Sequence, residues 1–113
     1  MKRLTDEIIQ FFHNQSFVIV STLDKDDSLH SSCKGIIKIS KIGTVYLLDL
    51  YRARTYDNLN RDAQISITAV DEHKFIGYCL KGKAKIIKIE ELKPQIIKTW
   101  EDRIASRITQ RVL

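Results

Sequence analysis

The order of apolar and polar residues along the chain predicts an antiparallel sheet that follows an N-terminal helix. Residues 3–14 carry apolar side chains at helical spacing and predict a short amphipathic helix. Residues 17–23 are β-branched and apolar and predict a strand, which the turn-forming segment DKDDS at 24–28 joins to a second strand. In this second strand, residues 29–40, we expect the odd-numbered side chains to be buried and the even-numbered ones, except Ile36, to be exposed.

The rest of the chain predicts three more strands and two helices. The predicted elements are strands at 44–50, 64–70 and 75–89 and a short helix at about 55–61. Gly77 and Gly82 suggest bends or bulges in the last strand. From Glu90 onward the pattern is helical, with one apolar stripe that comprises Leu92, Ile96, Ile97, Trp100, Ile104, Ile108 and Val112. Five strands joined mostly by tight turns predict a mainly β fold, in which a closed or split barrel removes exposed sheet edges.

Length and composition fit one folded domain and favour an anionic partner only weakly. The 113 residues include 43% hydrophobic ones, which is ordinary for a globular protein and argues against wholesale disorder. The formal net charge is +5, and this charge fits nucleic acid, a phosphorylated ligand or a solvated basic surface. The N-terminal residues do not have the pattern of a signal peptide, and no segment has the apolar length of a membrane span. We therefore expect a cytoplasmic protein without a membrane partner.

The side chains of the sequence give little sign that the protein itself supplies catalytic groups. Cys33 and Cys79 lie in predicted strands outside any CxxC or zinc spacing, so we expect two small buried residues rather than a redox pair. We expect His30 to be a surface or interface histidine, and we predict no metal site, because no acidic or cysteine cluster joins the histidines. No arrangement of a nucleophile and a base is evident. Any chemistry would therefore be that of a bound cofactor, and the catalytic residues stay unknown.

The segment from Arg52 to Asn58 has two interpretations. A helix that begins near Thr55 would point its first N–H groups at an anion, with a forked contact from Arg54 and a hydroxyl from Thr55. Alternatively, Thr55 is only a helix N-cap and the arginines face water. The chain has no Gly-rich loop of the P-loop or Rossmann type. The residues alone leave both interpretations open.

Three segments in this order resemble a known group of proteins. The first is FVIVSTLDKDDSLHSSCKGIIKI, a hairpin with a D-K-D-type turn and a long second strand. The second is GTVYLLDLYRARTYDNLNRDAQISITAV, which contains a strand, a basic turn with threonine, an NLxRD helix and another strand. The third is GYCLKGKAKII, with the x-G-x-A-x pattern of a bulged strand. From Phe17 to about Ile89 the chain resembles the FMN-binding split-barrel families, namely the pyridoxamine 5′-phosphate oxidase-like proteins and related small flavin-binding proteins and flavoredoxins.

The resemblance implies an antiparallel Greek-key split β-barrel, formed by residues 1–113 as one domain, and a homodimer with FMN at its interface. It implies that Arg54 and Thr55, which precede the NL helix, hold the FMN phosphate. The other implied flavin contacts come from the second strand, at Ser31, Ser32, Cys33 and Lys34, and from the end of the third, at Asp49, Leu50 and Tyr51. The implied function is flavin-dependent oxidoreduction or electron transfer on a small substrate or redox partner that the sequence does not name.

Two departures from the family pattern narrow this interpretation. Many relatives carry a small hydroxyl residue where Asp49 stands, and an acid suits an anionic cofactor only if it faces the ribityl hydroxyls or pairs with Arg52. The true vitamin B6 oxidases are longer and carry a C-terminal substrate-binding segment, which argues against oxidation of pyridoxamine phosphate by this chain. Two alternatives on the same fold stay open, namely a non-catalytic flavin carrier or sensor and a basic nucleic-acid-binding module.

Overall fold

The computed structural model describes residues 3–48, 54–87, 93–99 and 101–102 of the chain. The helices are α1 Asp6–Asn14 and α2 Arg54–Arg61. The strands are β1 Val18–Leu23, β2 Leu29–Ile39, β3 Val45–Leu48, β4 Gln64–Asp71 and β5 Ile76–Lys83. None of the described helices combines the length and the apolar composition that crossing a bilayer requires.

The five strands form an antiparallel sheet in the order β3-β2-β1-β4-β5. β1 pairs with β2 on one side, where Ile19 faces Cys33, and with β4 on the other, where Ile19 faces Thr68. The tight DKDDS turn joins β1 to β2, and α2 leads from β3 to β4 across them. The sheet is curled into a half-barrel. The mainly β, antiparallel split-barrel fold that the sequence predicts is therefore confirmed.

The core lies where α1 packs against one face of the sheet. Thr5 caps α1, because its Oγ1 accepts a hydrogen bond of 3.2 Å from the backbone N–H of Ile8. Phe12 is fully buried among strand side chains, and the ring of Phe11 meets that of Tyr78 edge-on at 4.8 Å between centroids. We name this side of the sheet the inner face and the opposite side the outer face.

A β-bulge in β2 changes which of its side chains are buried. The pairing with β3 shifts by one residue between Ile36 and Lys38, so Ile37 is an extra residue in the strand. Before the bulge the even-numbered residues of β2 are the more buried ones, whereas beyond it Ile37 and Ile39 are buried. The prediction that the odd-numbered side chains are buried throughout 29–40 is therefore wrong for the first half of the strand, because the extra residue reverses the alternation.

The last strand is shorter and more regular than the sequence suggests. β4 and β5 pair in one continuous antiparallel register along their whole lengths. Gly77 and Gly82 both lie inside this register, so the bulges expected at them are wrong, and the expected bends stay a prediction. β5 ends at Lys83, and residues 84–87 are not strand, although 75–89 are predicted as one.

The predicted C-terminal helix is described only in part. Residues 94–99 and 101–102 are helical, and Ile96 is 4% exposed. Ile97 is half-buried on the same stretch. The other residues of the predicted apolar stripe lie outside the described part of the chain, and they are Leu92, Trp100, Ile104, Ile108 and Val112.

Candidate functional site

α2 packs against β1 and β2 through polar side chains. Among the described residues, the buried polar side chains are Thr22, Thr55 and Asn58, which are 2%, 4% and 2% exposed. Thr22 belongs to β1, and the other two belong to α2. A buried polar group without a hydrogen-bond partner costs about 1–3 kcal/mol, so such a contact is stable only when its side chains pair with one another.

Asn58 is the centre of the first set of these pairs. Its Nδ2 donates to Thr22 Oγ1 over 3.0 Å and to Asp24 Oδ1 over 2.9 Å. Its Oδ1 accepts a hydrogen bond of 2.8 Å from Nη2 of Arg61, whose guanidinium also donates to the carbonyl oxygen of Leu23. α2 is therefore fixed both to β1 and to the start of the DKDDS turn.

A second link joins α2 to β2. Ser32 Oγ and Thr55 Oγ1 lie 3.0 Å apart and share a hydrogen bond. The Thr55 hydroxyl therefore lies in the interior, between the helix and the sheet. His30 is half-buried on the same side of β2 as Ser32, and it faces Thr22 in the ladder between β1 and β2.

The DKDDS turn brings two carboxylates close to the start of α2. Asp24 Oδ2 lies 3.8 Å from Arg54 Nη1 and 3.3 Å from Ser28 Oγ. Asp26 Oδ1 accepts from the Ser28 hydroxyl at 2.6 Å and from the Ser28 backbone N–H at 3.1 Å. These two bonds, with a smaller effect from the Arg54 charge, hold the pKa of the Asp26 carboxyl below its ordinary value of 3.8. The Arg54 side chain is 65% exposed, so it stays accessible to a ligand.

The structure brings together part of the residue set that the sequence predicts for flavin. Arg54, Thr55 and Ser32 lie around the start of α2. Ser31 and Cys33 alternate with Ser32 along β2, so they point to the outer face, and both are exposed. The four neighbouring residues of β2 therefore belong to two different surfaces, and one flat ligand cannot contact all of them from one side of the strand.

The rest of the predicted set is described only at Lys34. This residue is half-buried and lies on the same side of β2 as Ser32. Asp49, Leu50 and Tyr51 lie outside the described residues. Their contacts with flavin stay predictions, as does the role of Thr55 as a phosphate ligand.

Cys33 and Cys79 are exposed, so the expectation of two buried cysteines is wrong. Both point to the outer face, where Cys33 pairs with Ile19, Ile19 with Thr68, and Thr68 with Cys79. Three strand-to-strand steps separate the two thiols, which corresponds to roughly 14 Å along the sheet. A disulfide needs Cα atoms within about 7 Å, so the two cysteines of one chain cannot form one in this fold.

The polar contacts of Thr22, Asp24 and Asn58 are not predicted from the sequence. The sequence pattern indicates only an ordinary strand residue at Thr22, a turn residue at Asp24 and part of a helix motif at Asn58. One signal was present in α2 itself, whose sequence RTYDNLNR contains Leu59 as its one aliphatic residue. A helix that packs on a sheet with so few apolar side chains indicates a polar interface.

The residues at the start of α2 fit an anionic group such as the phosphate of FMN. An exposed guanidinium at Arg54 and the positive end of α2 are donors of the kind that phosphate binds, whereas the Thr55 hydroxyl is 4% exposed and bonds Ser32 in the interior. Asp24 opposes this fit, because its carboxylate lies beside Arg54 and repels an anion. Arg54 and the helix end are the parts of this site that suit a phosphate, and the two carboxylates of the turn, Asp24 and Asp26, weaken the fit.

Comparison with known proteins shows the family. The family model described as pyridoxamine 5′-phosphate oxidase matches residues 4–112. The fold is similar to that of a Clostridium acetobutylicum protein described as related to general stress protein 26 of B. subtilis, of the pyridoxinephosphate oxidase family, with a TM-score of 0.70 and 20% sequence identity. This similarity covers 80% of the present chain and 63% of the other, so the chain spans less than two thirds of that protein. A search of curated proteins gave no match. Because the family model covers almost the whole sequence, the chain belongs to the pyridoxamine 5′-phosphate oxidase family.

Proposed function

We propose that the protein binds FMN and acts in flavin-dependent oxidoreduction or electron transfer. The observation that carries this proposal is the exposed Arg54 guanidinium at the first residue of α2, a helix that the buried hydrogen bond between Ser32 and Thr55 fixes to β2. Membership of the family supports it, because the pyridoxamine 5′-phosphate oxidase family typically binds FMN. The cytoplasmic location stays a prediction.

Each group at the start of α2 has a separate role in holding the ligand. Arg54 is exposed, so its guanidinium is accessible for forked, charge-assisted hydrogen bonds with two phosphate oxygens. The first backbone N–H groups of a helix have no partner within the helix and point in the same direction, so they are available to the same phosphate. The buried bonds of Asn58 and Thr55 fix α2 on the sheet and keep this donor set in place.

The chemistry belongs to the cofactor. When bound, FMN supplies one-electron and hydride transfer, and the protein contributes orientation and the electrostatic environment. A flavin carrier or sensor would use the same phosphate contacts as an oxidoreductase, so flavin binding is the first property to measure.

The test is a titration of the parent protein and of Arg54→Ala with FMN and with riboflavin, which lacks the phosphate. A hydrogen bond to a charged group contributes about 1.5–3 kcal/mol, so Arg54→Ala should weaken FMN binding roughly 10- to 150-fold. Riboflavin affinity should change far less. The matched control is Arg3→Ala, which removes an exposed arginine ahead of α1 and should change neither affinity. A parent that binds neither flavin, or an equal loss of both flavins in Arg54→Ala, would contradict the proposal.

We further propose that the protein is a homodimer that uses the outer face of the sheet. Leu29 in β2 and Val70 in β4 point to this face and are 77% and 50% exposed. Ile19 lies between their strands on the same face and is half-buried. Exposed apolar side chains on one sheet face favour association, and a second copy presents the same surface in return.

A further inference from the structure

The contacts of Asp24 distinguish it from an ordinary surface carboxylate. Its Oδ1 accepts a hydrogen bond from Asn58 Nδ2 at 2.9 Å, and its Oδ2 lies 3.3 Å from Ser28 Oγ, whose single proton is shared with the closer Asp26 Oδ1. Its backbone N–H donates to the Ser28 carbonyl oxygen, and its own carbonyl oxygen accepts from Asp27, which closes the turn. The side chain is 21% exposed. The carboxylate is therefore held in one position beside the start of α2.

Its partner Arg54 is not held in the same way. The distance of 3.8 Å between Asp24 Oδ2 and Arg54 Nη1 exceeds that of a hydrogen bond, and the Arg54 side chain is 65% exposed. Such a pair is weak, because solvent screens it and the arginine can move. The result is an asymmetric pair, in which the acid is fixed and the base is free to turn toward another anion.

We propose that Asp24 is an internal competitor of the ligand phosphate, and that it sets how strongly the site prefers phosphorylated over unphosphorylated flavin. This inference rests on the proposed binding of FMN at Arg54. A phosphate at the start of α2 has to draw Arg54 away from Asp24, and it also experiences the negative charge of that carboxylate. Both effects weaken FMN binding and leave riboflavin unaffected. Asp24 is therefore a specificity-determining residue that lowers the contribution of the phosphate to the affinity for FMN.

The test is Asp24→Asn, titrated with FMN and riboflavin at low and at high salt. Asparagine keeps the oxygen that accepts from Asn58 but removes the charge. FMN should bind roughly two- to fivefold more tightly, which is the size of an exposed charge pair, and the gain should shrink as salt screens it. Riboflavin affinity should not change. The matched control is Asp27→Asn, which removes the same charge from the same turn at a φ of 65° that suits asparagine as well as aspartate.

The possible results of this titration distinguish the role of Asp24 from the proposed binding of FMN. Unchanged or weaker FMN binding in Asp24→Asn, or an equal gain in Asp27→Asn, overturns the inference about Asp24. If FMN binding is still weakened by Arg54→Ala, the proposed function stands in that case. A parent that does not bind FMN overturns both. If Asp24→Asn melts below the parent, Asp26→Asn replaces it, because Asp26 is the second carboxylate of the turn that experiences the Arg54 charge. Asp26→Asn should give a smaller gain in FMN affinity than Asp24→Asn. An FMN affinity equal to that of the parent would overturn the inference.

Discussion

The side-chain amide of Asn58 donates a hydrogen bond of 3.0 Å to Thr22 Oγ1, and each of these side chains is 2% exposed. The bond joins α2 to β1, the central strand of the sheet. The same amide also bonds Asp24 and Arg61, so both its N–H groups and its carbonyl oxygen are used. Among the described residues, Asn58 is therefore the one with the most side-chain links between α2, β1 and the DKDDS turn, and α2 carries the candidate phosphate contacts.

Replacing Asn58 by alanine should destabilise the fold. The change leaves the buried hydroxyl of Thr22 without this partner, and we expect a loss of about 1–3 kcal/mol in the free energy of unfolding, measured by urea denaturation. Asn60→Ala is the matched control, because Asn60 lies in the same helix and is exposed. That control should change the free energy by no more than a few tenths of a kcal/mol. Equal effects of the two changes would contradict a structural role for the Asn58 amide.

The hydrogen bond between Ser32 and Thr55 should appear as a coupling energy. In a double-mutant cycle with Ser32→Ala and Thr55→Val, each single change leaves one hydroxyl unpaired, so the double change should cost less than the sum of the two. We expect a coupling of about 0.5–1.5 kcal/mol in the free energy of unfolding.

A control cycle uses a hydrogen bond of similar length in solvent. Gln10 Nε2 and Asn14 Oδ1 in α1 lie 2.8 Å apart and are exposed. Substituting both by alanine should give a coupling of about 0.2–0.5 kcal/mol, because water replaces a lost partner at the surface. Additive effects of the Ser32 and Thr55 changes would show that the buried pair contributes nothing specific.

The fold was largely predictable because its signals are local. The Thr5 cap and the apolar spacing of α1 lie within a few residues of each other, and the DKDDS turn directly follows the β-branched segment 17–23. The bulge at Ile37 was not predictable in this way, because an extra residue is defined by the pairing with β3 and not by β2 itself. The same missed bulge led to the wrong prediction that Cys33 is buried.

The candidate site was predictable only at residues with an obvious chemical role. Arg54 and Thr55 suggested an anion site because a guanidinium and a hydroxyl stand where a helix begins. Nothing local in the sequence shows that Thr22 and Asn58 meet, since they are separated by 36 positions and come together only when α2 folds onto β1. Buried polar networks of this kind depend on tertiary contacts, which periodicity does not report.

Ser28 should control the pKa of Asp26. Ser28→Ala removes the hydroxyl that makes the largest contribution to the lowered pKa, so the pKa of Asp26 should rise toward its ordinary value of 3.8. The Ser28 backbone N–H still donates, so the rise should be incomplete. Carboxyl-carbon NMR titration measures this pKa directly. Ser28→Thr keeps a hydroxyl and should keep the pKa low, and an unchanged pKa in Ser28→Ala would contradict the assignment.

The sign of the corresponding stability change follows from the same shift. The folded state binds the Asp26 proton less tightly than the unfolded state, so the stability that this group contributes is fully present above the unfolded pKa near 3.8. It is lost as the pH falls through the lower folded pKa. The stability difference between the parent and Ser28→Ala should therefore be smaller at a pH below both pKa values than at neutral pH, as measured by urea denaturation.

A charge on the outer face of the sheet should disrupt the proposed homodimer. Val70→Lys places an ammonium group on that face, at the second-to-last residue of β4, and sedimentation velocity at micromolar concentration should show a shift from dimer to the 13.1 kDa monomer. Phe75→Lys is the matched control, because Phe75 is 93% exposed in the turn between β4 and β5, outside the sheet face. Only monomer in the parent, or the same shift in both variants, would contradict the proposed interface.

The bulge in β2 also determines where this strand can change in length. Deleting Ile37 would leave the neighbouring pairs, Ile36 with Leu47 and Lys38 with Tyr46, in place and would restore a regular alternation. A deletion elsewhere in the strand would slide one part of it past its neighbours and turn its side chains to the opposite face. In β2, a related chain can therefore lose a residue at this position at the cost of one buried isoleucine, without moving Ser32 away from α2.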